Sequence, residues 1–153
     1  MPTSASCFGM RKLRNATIGQ SPLWLASRPT AAGMRPINAM VDISNYVMLE
    51  LGQPNHTYDL DKIDGATLGV RMGRDGEKLI TLDSVERSIS SNDGVIVDGN
   101  DAPIGLAGVM GGESTEIDES TVNVVLEAAV WDRMTIAKTV RQRQPALRGI
   151  NSI

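Results

Sequence analysis

The chain has 153 residues, enough for one domain with a buried core. Hydrophobic residues make up 41% and charged ones 22%, as in ordinary soluble proteins, and a formal charge of −3 excludes a global basic footprint for nucleic acid. With Cys7 the one cysteine and His56 the one histidine, an internal disulfide framework is excluded and zinc ligands are too few.

In chain order, Met1 to Ser6 lacks the apolar stretch of a secretory signal and reads as a short disordered tail. Arg11 to Asn15 reads as a short polar strand or edge. Ser21-Pro22 predicts a helix start, with a hydroxyl to cap and a proline for the first turn. Pro29 would end or kink that helix, since a proline inside a helix costs about 3 kcal/mol, and Gly33 closes the segment. Asn38 to Leu51 is the clearest helix: Met40, Ile43, Val47 and Leu51 form an apolar stripe, with Asn38, Asp42 and Asn45 opposite. Gly52 is placed to cap it, and Pro54 prevents continuation.

From Thr67 the pattern becomes strands and turns. Leu68, Val70 and Met72 alternate, Asp75-Gly76 turns the chain, and Leu79 to Leu82 return. Val95 to Val97, a turn at Asp98 to Asp101, and Ile104 to Leu106 predict a second hairpin. Val122 to Leu126 is β-branched and apolar, as a buried strand should be. Asp132 can cap a last helix through Gln142. Blocks of helices and mostly antiparallel hairpins predict an α+β fold, a mostly antiparallel sheet with flanking helices. No run of about 18 apolar residues suits a spanning helix, and a cytoplasmic protein without membrane contact is the default expectation.

Three features could carry chemistry. The glycine-rich run Gly105 to Gly112 fits no nucleotide loop; it is either a tight structural loop or one that a ligand's backbone approaches. His56 follows a proline-fixed turn near Asn45, Tyr58 and Asp59; a lone histidine is usually structural, yet it could also work on a ligand. Glu127 ends an apolar run, where a carboxylate must find a partner: an arginine, or a ligand. Lys138, Arg141, Arg143 and Arg148 make the end basic, either a solvated helix face or a phosphate contact. No serine or cysteine stands beside a second base, so a covalent nucleophile is not expected.

The stretch Gly33-Met34-Arg35-Pro36-Ile37-Asn38 and its continuation from Val41 through Gly52-Gln53-Pro54, His56 and Tyr58 to Lys62 resembles the beta subunit of bacterial phenylalanyl-tRNA synthetase. So do Arg74-Asp75-Gly76-Glu77-Lys78-Leu79 with Thr81-Leu82-Asp83, Pro103 to Gly112, and Leu126-Glu127-Ala128-Ala129. These blocks cover Ser21 to Arg143 in order. The resemblance implies the editing (B3/B4) domain, which hydrolyses tyrosine wrongly attached to phenylalanine tRNA. On that resemblance Glu127 matches the carboxylate that recognises the tyrosine hydroxyl, and His56 the pocket histidine near the terminal adenosine and the ester. Arg35, Asn45, Pro54 and Gly111 match other pocket positions. With no covalent nucleophile expected, the step expected is water attack on the ester carbonyl, with the substrate held by His56, Asn45 and the glycine loop. The tRNA and the synthetase alpha subunit are the partners so implied. ATP and magnesium belong to the whole synthetase, and no cofactor is expected within this part.

The division expected is a tail and first strand at 1–20, the editing portion at 21–143, and a divergent end at 144–153. Pro29 and Arg133 depart from the family pattern. Gly149 and Asn151 do not match its small pocket-lining residues, so a pocket lacking one wall is expected, in a truncated gene product or an excised fragment. A hydrolytic editing enzyme, a non-catalytic module that binds tRNA or a partner subunit, and a degenerate fragment are the three functions the residues leave open.

Overall fold

A computed structural model describes residues 5–147. In chain order its elements are strand β1 (Ala5–Leu13), helices α1 (Leu23–Ala31) and α2 (Ala39–Leu51), and strands β2 (Asn55–Asp59), β3 (Gly69–Met72) and β4 (Lys78–Ile80). Then come β5 (Glu86–Ser88), β6 (Gly94–Val97), β7 (Pro103–Leu106), β8 (Met110–Gly111), β9 (Val124–Trp131) and helix α3 (Arg133–Leu147). The fold is α+β, as expected. The chain divides into two compact units. One comprises Ile63–Glu116 with the chain ends, Met1–Cys7 and Val130–Ile153; the other comprises Phe8–Lys62 and Ile117–Ala129.

In the first unit β3, β6, β7 and β8 form an antiparallel sheet in that order, and β4 pairs with β5. Leu79, Ile89, Val95, Val97 and Leu106 make its core. The hairpin β6–β7 is as expected: Asp98 accepts from the amides of Asn100 and Ala102, which holds the turn. The expected return of β4 onto β3 is not: β3 pairs with β6, and β4 with β5. A two-residue turn signal at Asp75-Gly76 marks a reversal, but the fully buried β6 offers β3 the better-buried partner. Asp132 caps α3, accepting from the Thr135 amide at 2.7 Å, and the helix runs past Gln142 to Leu147.

In the second unit β9 lies between β1 and β2. Ile18, Ile117 and Val124 form a core cluster, with Ala16 and Met40 packed on it. Strand β1 begins at Ala5, earlier than the expected edge and inside the segment expected to be a tail. Ser21 does not cap α1; its hydroxyl donates to Asp42 instead. Helix α1 continues through Pro29 to Ala31, with Pro29 buried. The proline lacks the N–H that would bond the Leu25 carbonyl one turn back, and the helix ends two residues after it. Gly33, at φ 85°, closes the segment as expected.

Helix α2 has the predicted caps. Asn38 accepts from the Val41 amide at 3.0 Å, and Gly52 adopts the left-handed conformation at φ 67°. The predicted stripe is buried only in part, with Met40 packed on the core and Val47 half-buried. Ile43 and Leu51 are 47% and 72% exposed, whereas Asp42 is 1% exposed. Asp42 is turned inward because it has donors there, the Ser21 hydroxyl and the Ile37 amide.

Candidate functional site

Strands β2 and β9 pair antiparallel with His56 opposite Glu127 and Tyr58 opposite Val125. Side chains directly opposite, and those two residues along, share one face of a sheet. His56, Tyr58 and Glu127 therefore stand on the same face. Glu127 is 5% exposed and Tyr58 1%. The Tyr58 hydroxyl donates to Glu127 Oε2 at 2.5 Å, a length typical of O–H donation to a carboxylate. Among the described residues no hydrogen bond reaches Oε1. The His56 ring meets the Tyr58 ring edge-on, with centroids 4.5 Å apart and planes at 83°.

Burial sets the charge states. It pushes the pKa of Glu127 up, and the Tyr58 hydrogen bond works against that rise. It pushes Tyr58 well above the ordinary tyrosine range, with the Glu127 charge adding to the effect, so Tyr58 is the donor. It also pushes His56 down to about 4, leaving a neutral imidazole at pH 7, although the residue as a whole is only half-buried. Glu127 therefore has neither an arginine nor a protonated histidine to pair with. It lies in the middle of β9, the central strand of its sheet, rather than at the end of a buried strand.

The loop between α2 and β2 is tied down on both sides. Ser44 donates to Asn55 Oδ1 at 2.7 Å, and Asn55 Nδ2 returns to the Ser44 carbonyl. Gln53 Nε2 donates to the Ala129 carbonyl of β9 at 3.1 Å. Pro54 is thereby held, exposed, beside the end of the ladder that carries His56. Asn45 is half-buried on α2 and Arg35 exposed before it; neither makes a side-chain hydrogen bond among the described residues. All five of these expected positions (Arg35, Asn45, Pro54, His56, Glu127) belong to the second unit.

Gly111 belongs to the first unit, on β8, where it pairs with Gly105 and its carbonyl accepts from the Leu82 amide. The glycine run is a tight turn there. Gly108 has φ 65°, and a Cβ on it would lie 2.7 Å from both Ile136 Cδ1 and Trp131 Cδ1. A Cβ on Gly112 would meet the Ile104 carbonyl at 2.5 Å. Close packing by itself requires glycine at Gly108 and Gly112.

Sequence reasoning passed over Tyr58 as a working residue, noting it only as a neighbour of His56. The signal was present in its spacing: two residues apart on a strand means one face. Ser44, Gln53 and Asn55, which fasten the loop, carried no such signal. Among the described residues no cluster of three or more His, Cys, Asp or Glu could hold a metal ion. No helix among them is long and apolar enough to cross a membrane.

The family model described as the B3/4 domain matches residues 4–146. The chain is similar to the phenylalanine–tRNA ligase beta subunit of Streptococcus agalactiae serotype Ia, 50% identical over 132 residues, which are 86% of this chain and 16% of that protein. Its likeness to the same subunit of Nitratidesulfovibrio vulgaris is 49% identity over 144 residues, 93% of this chain and 18% of that one. The chain thus spans less than a fifth of the curated relatives it matches. Among solved structures, an N-terminal fragment of the phenylalanyl-tRNA synthetase beta subunit from Pyrococcus horikoshii superposes with a TM-score of 0.59. The match covers 86% of this chain and 41% of that one; at 11% identity it speaks for the fold alone.

Proposed function

This chain belongs to the B3/4 domain family, as a part of the phenylalanine–tRNA ligase beta subunit, and we propose that it hydrolyses tyrosine wrongly esterified to the phenylalanine-specific tRNA. The observation that carries the reading is the buried Glu127 carboxylate, with Oε1 unengaged, on the same sheet face as a neutral His56. An acceptor of that kind favours a ligand with a phenolic O–H. Phenylalanine would leave it unpaired, and an unpaired buried charge is costly.

In the proposed step, water adds to the ester carbonyl, the bond from that carbon to the ribose oxygen breaks, and the water's proton ends on the ribose. A histidine held near pKa 4 is a poor base at neutral pH, where general bases work best with a pKa close to 7. His56 is therefore assigned to orientation by hydrogen bonding, with Asn45 and Arg35 toward the nucleotide. The tRNA is the proposed partner, with the synthetase alpha subunit, ATP and magnesium entering only through the longer protein. A cytoplasmic setting follows from that role.

The test is deacylation of tyrosyl- and phenylalanyl-tRNA, both on the phenylalanine-specific tRNA, by this chain and by its Glu127→Ala and His56→Ala variants. Preferential release of tyrosine is expected, with Glu127→Ala reducing the preference about 10- to 100-fold, the worth of one hydrogen bond to a charged group. A folded chain that releases neither amino acid above the buffer rate would end the reading of this chain as an editing enzyme.

A further inference from the structure

We propose that Tyr58 is a positioning residue for Glu127: its hydroxyl holds one carboxylate oxygen so that the other stands ready as the acceptor for a ligand's phenol. The inference rests on the editing reading for the identity of the ligand. Three observations carry it. The two groups are almost fully buried and 2.5 Å apart. Their strands are registered so that Tyr58 sits diagonally across the ladder from Glu127. The His56 ring, packed edge-on, supports the Tyr58 ring from the same face.

A carboxylate in this setting faces a choice. Without a donor it would take up a proton or turn toward solvent, and either would blunt it as an acceptor. The charged or titratable groups on the surrounding elements are Cys7, Arg11 and Lys12 on β1, Asp42, Tyr46 and Glu50 on α2, and His56, Tyr58 and Asp59 on β2. Among the described residues Tyr58 alone makes a hydrogen bond or ion pair with the Glu127 side chain. One phenol thus satisfies Oε2 and leaves Oε1. The carboxylate keeps acceptor capacity for one more O–H donor, and a plain phenyl ring has none to give. The aromatic hydroxyl built into the protein prepares the acceptor for the aromatic hydroxyl of the ligand.

The experiment compares the full chain with Tyr58→Phe, which keeps the ring and its packing on His56 and removes only the oxygen. The Glu127 side-chain carboxyl is followed by carbon NMR through an acid titration, with no ligand present. Its midpoint is expected to be higher in Tyr58→Phe than in the unaltered chain. In deacylation, the preference for tyrosyl- over phenylalanyl-tRNA is expected to fall about tenfold, with phenylalanyl release unchanged. An unchanged Glu127 midpoint overturns the proposal, whatever the deacylation shows. So does a gain in tyrosine preference, which would make Tyr58 a competitor for Glu127. Should Tyr58→Phe not fold, the unaltered chain still decides: the Tyr58 Cζ resonance is expected to move in step with the Glu127 carboxyl, and independent behaviour overturns the proposal. A chain that deacylates nothing yet shows the midpoint difference would remove the editing reading and leave the pairing intact.

Discussion

His56 is where burial acts most directly on behaviour. Its native pKa is held near 4, against 6.5 when exposed. Between those values the unfolded chain binds a proton that the native chain refuses, so stability is whole above the exposed value and falls as pH falls through the window. The full loss is at most about 3 kcal/mol, reduced because His56 is only half-buried as a residue. Glu127 acts with the opposite sign: its native pKa is raised, so acidification through its own range favours the native state and offsets part of the loss. Denaturant unfolding at about pH 7 and about pH 4.5 separates the two. The unaltered chain is expected to lose more stability between those pH values than His56→Phe does. Equal losses would mean that the imidazole does not titrate as its burial demands. His56 as a residue of interest was legible in the sequence; its neutrality was not, since that depends on neighbours brought in by the fold.

Elements show where local grammar suffices. The caps of α2, the φ 85° stop at Gly33 and the β6–β7 turn are each settled by residues within a few positions, and all were readable. The glycine run left a choice between loop and ligand contact; the fold adds that Gly108 and Gly112 are required by packing. Gly108→Ala is expected to cost about 2 kcal/mol or more, because it combines a left-handed backbone with a clash against Trp131 and Ile136. Gly105→Ala is the contrast: its Cβ would find nothing nearer than the Met110 carbonyl at 3.7 Å, and a loss under about 1 kcal/mol is expected. Urea midpoints of the two variants measure the difference. Similar midpoints would mean that the turn relaxes around an added methyl. Helix α2 is the opposite case, for only part of its apolar stripe is covered and Asp42, from the polar side, is buried. Periodicity reports which residues share a face, not which face finds partners, and Asp42 found them.

The whole molecule places its two units under different dependence on chain continuity. The β3-β6-β7-β8 sheet and its core lie entirely within residues 63–116. The β1-β9-β2 sheet is built from segments far apart in the chain, with β9 in the middle. Shortening the chain to end at Glu116 is therefore expected to abolish amide protection in β2, whose antiparallel partner is gone. Protection in β6 and β7 should persist, weakened because Gly108 loses its packing against Trp131 and Ile136. Hydrogen exchange by strand would report this; surviving protection at Asn55–Asp59 would contradict the sheet order. Glu127 goes with β9, so the shortened chain should also lose any preference for tyrosine.

The sequence by itself determined the α+β class, the helix caps, the β6–β7 hairpin and the order of motifs that places the chain in its family. These rest on short-range physics: turns, caps and alternation are satisfied within a few residues. Only the tertiary structure decided which strand β3 joins, which side of α2 is buried, and what Glu127 touches. Tyr58 and Glu127 are 69 positions apart, and the register of β2 on β9 is what makes them neighbours. A carboxylate's partner, its charge and its remaining acceptor all follow from that pairing, because desolvation is set by whatever the fold packs around a group.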